Sequence, residues 1–84
     1  MDISDIETRI KVIISDNTRL KPEEIKTGGN FRTELGFDSL TVLQVVLGID
    51  QEFETDFSEE ELRQIDSVDR AVQMVSAFLT GKAE

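Results

Sequence analysis

Cysteine and histidine are both absent from the 84 residues. Without cysteine there is no disulfide to stiffen the chain and no thiolate nucleophile, so stability must come from packing alone, and the composition fits a reducing compartment. Without histidine a serine has no imidazole to take its proton, and enzymes that attack through serine normally supply a histidine or a lysine for that task. The usual ligand sets for zinc are missing as well. No catalytic residue and no metal site can be assigned, and the isolated chain is expected to catalyse nothing. There is no charged start followed by a long apolar run, so neither a signal peptide nor a membrane span is expected, and a cytoplasmic location is the expectation.

Basic residues are missing from one continuous stretch. Between Thr33 and Leu62 there are nine acids and no lysine or arginine, while the remainder of the chain balances at nine of each sign. The whole net charge of -9 therefore resides in that stretch. Such a field repels phosphate backbones and anionic lipids, which argues against nucleic-acid or membrane binding, and it steers basic protein surfaces toward itself. With 38% hydrophobic residues, the chain is read as one domain over residues 1–84. That length supports a single core but not a core plus a buried catalytic cleft. Nothing in the pattern signals oligomerisation, so a monomer is expected.

Apolar spacing indicates an all-α protein. Ile3, Ile6, Ile10, Ile13 and Ile14 recur at helical intervals, and Ser4 with Glu7 has the form of a capping box, which predicts a helix from about Ser4 to Asn17. Pro22 stops regular structure and Gly28, Gly29 and Asn30 mark a turn, within a long connection whose apolar residues Leu20, Ile25 and Phe31 should pin it to the core. Asp38 has the side chain of an N-cap for a second helix running to Phe53 or Glu54. On it, Val42, Val45, Val46, Ile49 and Phe53 share one stripe. Ser58 with Glu61 opens a brief helix to about Gln64, short enough to depend on tertiary contact and thus the candidate mobile element. Asp66 or Ser67 caps a last helix with Val68, Ala71, Val72, Val75, Phe78 and Leu79 on its inner side, ending near Gly81 with a frayed tail beyond. These elements predict a small four-helix bundle of three principal helices and one short one, with a long first loop.

The second helix carries more apolar residues than its core face needs. Leu40, Leu43 and Leu47 lie more than a quarter-turn from the inner stripe, near Gln44, Asp50 and Glu54. A small bundle cannot enclose a helix on all sides, so this second stripe is expected to be a docking surface, with apolar burial giving affinity and the acidic border giving orientation.

Ser39 opens this helix within Gly36-Phe37-Asp38-Ser39-Leu40, and it reads as a residue that another enzyme modifies. Glu34-Leu35-Gly36 before the serine and the acidic helix after it make the combination specific. From about Ile6 to Leu79 the chain resembles the acyl carrier proteins. The resemblance implies that Ser39 receives 4'-phosphopantetheine from coenzyme A, whose thiol then carries acyl groups as thioesters to fatty-acid or polyketide-type synthases. It implies partners with basic docking surfaces, a phosphopantetheinyl transferase among them. In that family the aspartate helps to hold Mg²⁺ while the transferase is bound, a role that falls to Asp38. Gly36 is expected to permit a tight approach to the helix, and Leu40 completes the motif. Phe37 either rests against the arm or covers the loop below. Carriers of this kind shelter acyl chains beside the second helix, which here implicates Val42, Val46, Ile49, Leu62 and Ile65.

Departures from the family pattern bear on the pathway. Housekeeping fatty-acid carriers place acids soon after Asp-Ser-Leu, whereas this chain has Thr41, Gln44 and Gln51. Gly-Phe-Asp-Ser-Leu-Thr is similar to polyketide-synthase carrier domains, while the length and acidity resemble freestanding fatty-acid carriers. Other readings remain open: an aminoacyl or peptidyl carrier, or an acidic interaction module that is never modified. Asp50 to Glu61 also traces the outline of a calcium-binding EF-hand loop, but Thr55 occupies the position that needs glycine.

Overall fold

Five isoleucines within residues 3–14 drive the first helix. In the computed structural model, which describes residues 2–82, they form α1 (Ile3–Asn17). Ile6, Ile10 and Ile14 are fully buried. Each contributes about 1.5–3 kcal/mol by leaving water, which outweighs the few tenths lost to β-branching in a helix. The expected Ser4 start is off by one residue and its box does not form: Asp2 is the N-cap, with no side-chain capping bond. Ser4 lies inside the first turn, its carbonyl accepting from the Thr8 hydroxyl at 2.9 Å. Ile3 keeps the period but is 60% exposed, because the first helical residue overhangs the end of the core.

The long connection is tethered where expected. Ile25 and Phe31 are buried and Leu20 packs partly beneath it. Pro22 does not merely end structure, since Pro22–Glu24 forms a 3₁₀ turn. Its fixed φ and missing N–H suit the first position of a helical turn. The Lys21 amide donates to the Glu24 carboxylate at 2.8 Å and closes that turn.

The second helix, α2 (Ser39–Phe53), buries Val45, Val46, Ile49 and Phe53, while Val42 at its open end is half-buried. The brief α3 (Glu59–Arg63) has the expected box: the Glu61 amide donates to Ser58 Oγ at 3.1 Å and the Ser58 amide to the Glu61 carboxylate at 3.0 Å. No α3 residue is fully buried. Its flanks anchor it, through Ile65 in the core and Phe57 set edge-on against Phe78 at 5.9 Å. Ser67 rather than Asp66 takes the amide of Arg70, at 3.1 Å, at the start of α4 (Val68–Lys82), whose Val68, Ala71, Val72 and Val75 are buried. The tail beyond, Ala83 and Glu84, lies outside the described residues. Among the described residues there are four helices and no strand, and none of the helices is long and apolar enough to cross a membrane.

α1 packs against both α4 and α2. Its approach to α2 is set at Gly48, where an added Cβ would lie 2.9 Å from Cγ2 of Ile13. Arg9 closes the same interface from outside with a 2.6 Å ion pair to Glu52. In a helix interior, Gly48→Ala should gain about 1 kcal/mol of propensity, but overpacking a stiff β-branched neighbour costs about 1–3 kcal/mol. Urea unfolding should therefore show Gly48→Ala to be destabilising in the native background and stabilising once Ile13 has been replaced by alanine.

Candidate functional site

Ser39 is the first residue of α2 and is exposed to solvent. Its position is fixed from behind. The amide of Phe31 donates to the carbonyl of Asp66 at 2.8 Å, and the amide of Phe37 donates back to the carbonyl of Phe31 at 2.8 Å. The two rings stack with centroids 5.7 Å apart. Phe37 thus covers the loop below it. Between them, Asn30 organises the turn: its side-chain oxygen accepts the amides of Arg32 and Thr33, and its carbonyl accepts those of Glu34 and Leu35.

Gly36 does not serve a close approach, since a Cβ there would meet nothing within 4 Å. Its φ of +74° is the reason for glycine: the chain turns into Phe37 through the left-handed region, which costs other residues about 1–2 kcal/mol. Asp38 caps α2 as expected, accepting the Thr41 amide at 2.8 Å. That amide, with help from the Thr41 side chain and the Leu40 amide, holds the Asp38 carboxyl below its usual range. The cap thus favours a negative charge beside Ser39.

A cavity of about 610 Å³ opens next to the serine. Val42, Val46 and Leu62 line it as anticipated, together with Phe31 and Leu43. Ile49 and Ile65 do not line it; both are fully buried in the core behind. Sequence reasoning missed the polar side of this cavity, where Asn30, Arg32, Glu59, Arg63 and Asp66 lie. One signal was available: Arg32 and Arg63 are the residues that bracket the base-free stretch.

On α2, Leu40, Leu43 and Leu47 are 63%, 49% and 40% exposed. Gln44 and Glu54 are exposed with them. Asp50 differs. Its half-buried carboxylate accepts the hydroxyl of buried Thr55 and the amide of Phe57 at 2.9 Å. It is therefore the hinge pin of the α2–α3 corner rather than a free border charge. The corner turns through Glu54 and Asp56, both at positive φ. The first acid of the EF-hand outline is spent internally on Thr55 and Phe57, and among the described residues no group of three or more acidic side chains is placed to hold a metal ion.

Comparison with known proteins gives the site its family. The family described as "Phosphopantetheine attachment site" matches residues 8–75. The chain belongs to the phosphopantetheine-attachment family. Its fold is similar to a solved structure of acyl carrier protein from Enterococcus faecalis, at 26% identity and a TM-score of 0.73, over 92% of this chain and 98% of the other. The family domain is the attachment site of a covalent 4'-phosphopantetheine group, so this is a carrier of the acyl-carrier type and not an enzyme. The residues present fit such a group: an exposed serine hydroxyl at a helix N-terminus, beside a partly apolar cavity. An anion is stabilised at such a terminus by the first-turn amides.

Two outcomes follow from the loop and the cap. Gly36→Ala should lower unfolding free energy by about 1–2 kcal/mol with helix content unchanged by circular dichroism. Because the folded state depresses the Asp38 pKa, its contribution is complete above the ordinary value of 3.8 and is lost as pH falls through the lower folded value. Acid unfolding followed from about pH 6 to about pH 2 should accordingly show a shallower loss for Asp38→Asn than for the native chain.

Proposed function

We propose that Ser39 is the residue that bears the 4'-phosphopantetheine arm, and that the chain delivers acyl groups to enzymes of fatty-acid or polyketide-type synthesis. The arm supplies a thiol, which the chain itself lacks, and acyl groups ride on it as thioesters. The observation that carries this reading is the exposure of Ser39 at the mouth of α2, inside the segment matched by the family and beside the cavity. With no histidine in the sequence, the proton of the serine hydroxyl leaves to a base on the transferase. Asp38, held ionised at the adjacent position, is suited to attract Mg²⁺ in that complex.

Leu40, Leu43 and Leu47 form the apolar centre of the docking surface, with Gln44 and Glu54 alongside. Partners with an apolar patch ringed by basic side chains fit it, whereas nucleic acid and anionic membranes are repelled by the surrounding acids. Thr41 and Gln44, standing where housekeeping fatty-acid carriers have acids, support a more specialised acyl or polyketide route.

Incubation with coenzyme A, Mg²⁺ and a broad-specificity phosphopantetheinyl transferase should raise the intact mass by one phosphopantetheine, and Ser39→Ala should not react. An unchanged native mass would leave an unmodified interaction module as the better reading. Leu47→Ala should reduce kcat/KM for the transfer about tenfold, the cost of an interface anchor, without moving the melting temperature.

A further inference from the structure

The two arginines at the cavity are the chain's own answer to an electrostatic problem at Ser39. A phosphodiester there adds an anion to a stretch that already holds nine acids and no base, with the ionised Asp38 next to it. Like charges this close oppose each other. Arg32 and Arg63 stand one residue outside either end of that stretch, with thirty residues between them, yet both line the cavity that Ser39 opens. Folding has therefore brought two positive side chains to the same cavity as the serine, whose own segment has none.

Both guanidinium groups are available. The Arg32 side chain makes no hydrogen bond or ion pair among the described residues, although its amide is held by Asn30. Arg63 pairs with Glu59 at 2.6 Å, one turn earlier on α3, but the two side chains are 76% and 81% exposed. A pair so open to water is weak and easily exchanged. Glu59 and Asp66 also line the cavity, so its two acids balance its two arginines before any group is attached. Guanidinium is suited to the exchange, because its planar fork pairs in bidentate fashion with phosphate oxygens as it does with those of a carboxylate.

Resting on the reading that Ser39 bears the arm, we propose that Arg32 and Arg63 are positioning residues that hold the arm's phosphodiester at the cavity mouth. Arg63 belongs to α3, a helix with no fully buried residue of its own. Its pairing then ties α3 to the start of α2, and the short helix becomes firmer once the serine is modified. The same contact turns the arm toward the apolar side of the cavity, formed by Val42, Val46 and Leu62.

The test compares apo and fully modified protein, native and Arg32→Gln/Arg63→Gln, at low ionic strength. Intact mass first reports whether modification occurred; no modification of the native chain would sink the Ser39 reading and this proposal with it. On modified protein, the Nε–H resonances of Arg32 and Arg63 should shift between apo and modified forms. Modification should also raise the native melting temperature relative to its effect on the double variant by about 4 °C, with part of the difference recovered by Arg32→Lys/Arg63→Lys and most of it erased by molar salt. Complete modification with unmoved arginine resonances, or with the same melting shift in native and Gln variants, would overturn the proposal while leaving Ser39 as the attachment point.

Discussion

Phe31 is the residue on which the geometry around Ser39 depends. Its amide reaches the carbonyl of Asp66, its carbonyl receives the amide of Phe37, its ring stacks on that of Phe37, and it forms part of the cavity wall. A loop of this length would otherwise leave its end free to wander, at a cost in order for every residue fixed. One buried side chain with both backbone groups engaged fastens three things at once: the end of the loop, the α3–α4 corner and the run into α2. The exposed Ser39 hydroxyl itself makes no demand on the core. It is presented by what lies behind it.

The same economy applies to α2. A chain without disulfides needs the inner face of this helix for its core, and Val45, Val46, Ile49 and Phe53 supply it. The outer leucines are then only partly covered by the rest of the chain, and the proposed docking surface lies there. Separation of the two faces lets docking and stability be governed by different residues. Asp50 shows the limit of that separation, because its carboxylate supports the corner into α3 and is therefore a structural group on a functional helix.

Periodicity disclosed most of the architecture because helices in so small a bundle must each bury one stripe. Ser58 and Asp38 were legible as caps since short polar side chains before an apolar run have a local geometric purpose. Ser4 and Glu7 misled because the same letters fall inside the first turns of a helix whose N-cap, Asp2, makes no side-chain capping bond. Gly36 was legible as necessary but for the wrong reason: only coordinates distinguish a glycine needed for space from one needed for positive φ. What sequence spacing could not show was convergence. Ile49 and Ile65 look like Val46 and Leu62 in one dimension, yet the first two face the core and the latter two the cavity. Arg32 and Arg63 carry no distinguishing pattern in the sequence beyond bracketing the base-free stretch, and only the fold brings both to one opening.

The capped aspartate has a bearing on control. The chain has no imidazole or thiol, and its cap hydrogen bonds stabilise the carboxylate next to the serine in its charged form. Mobile ions are a different matter, since their atmosphere thins within about 8 Å at physiological strength and shortens the reach of every surface acid. The distance over which this acidic surface is felt is thereby set by the saltiness of its surroundings.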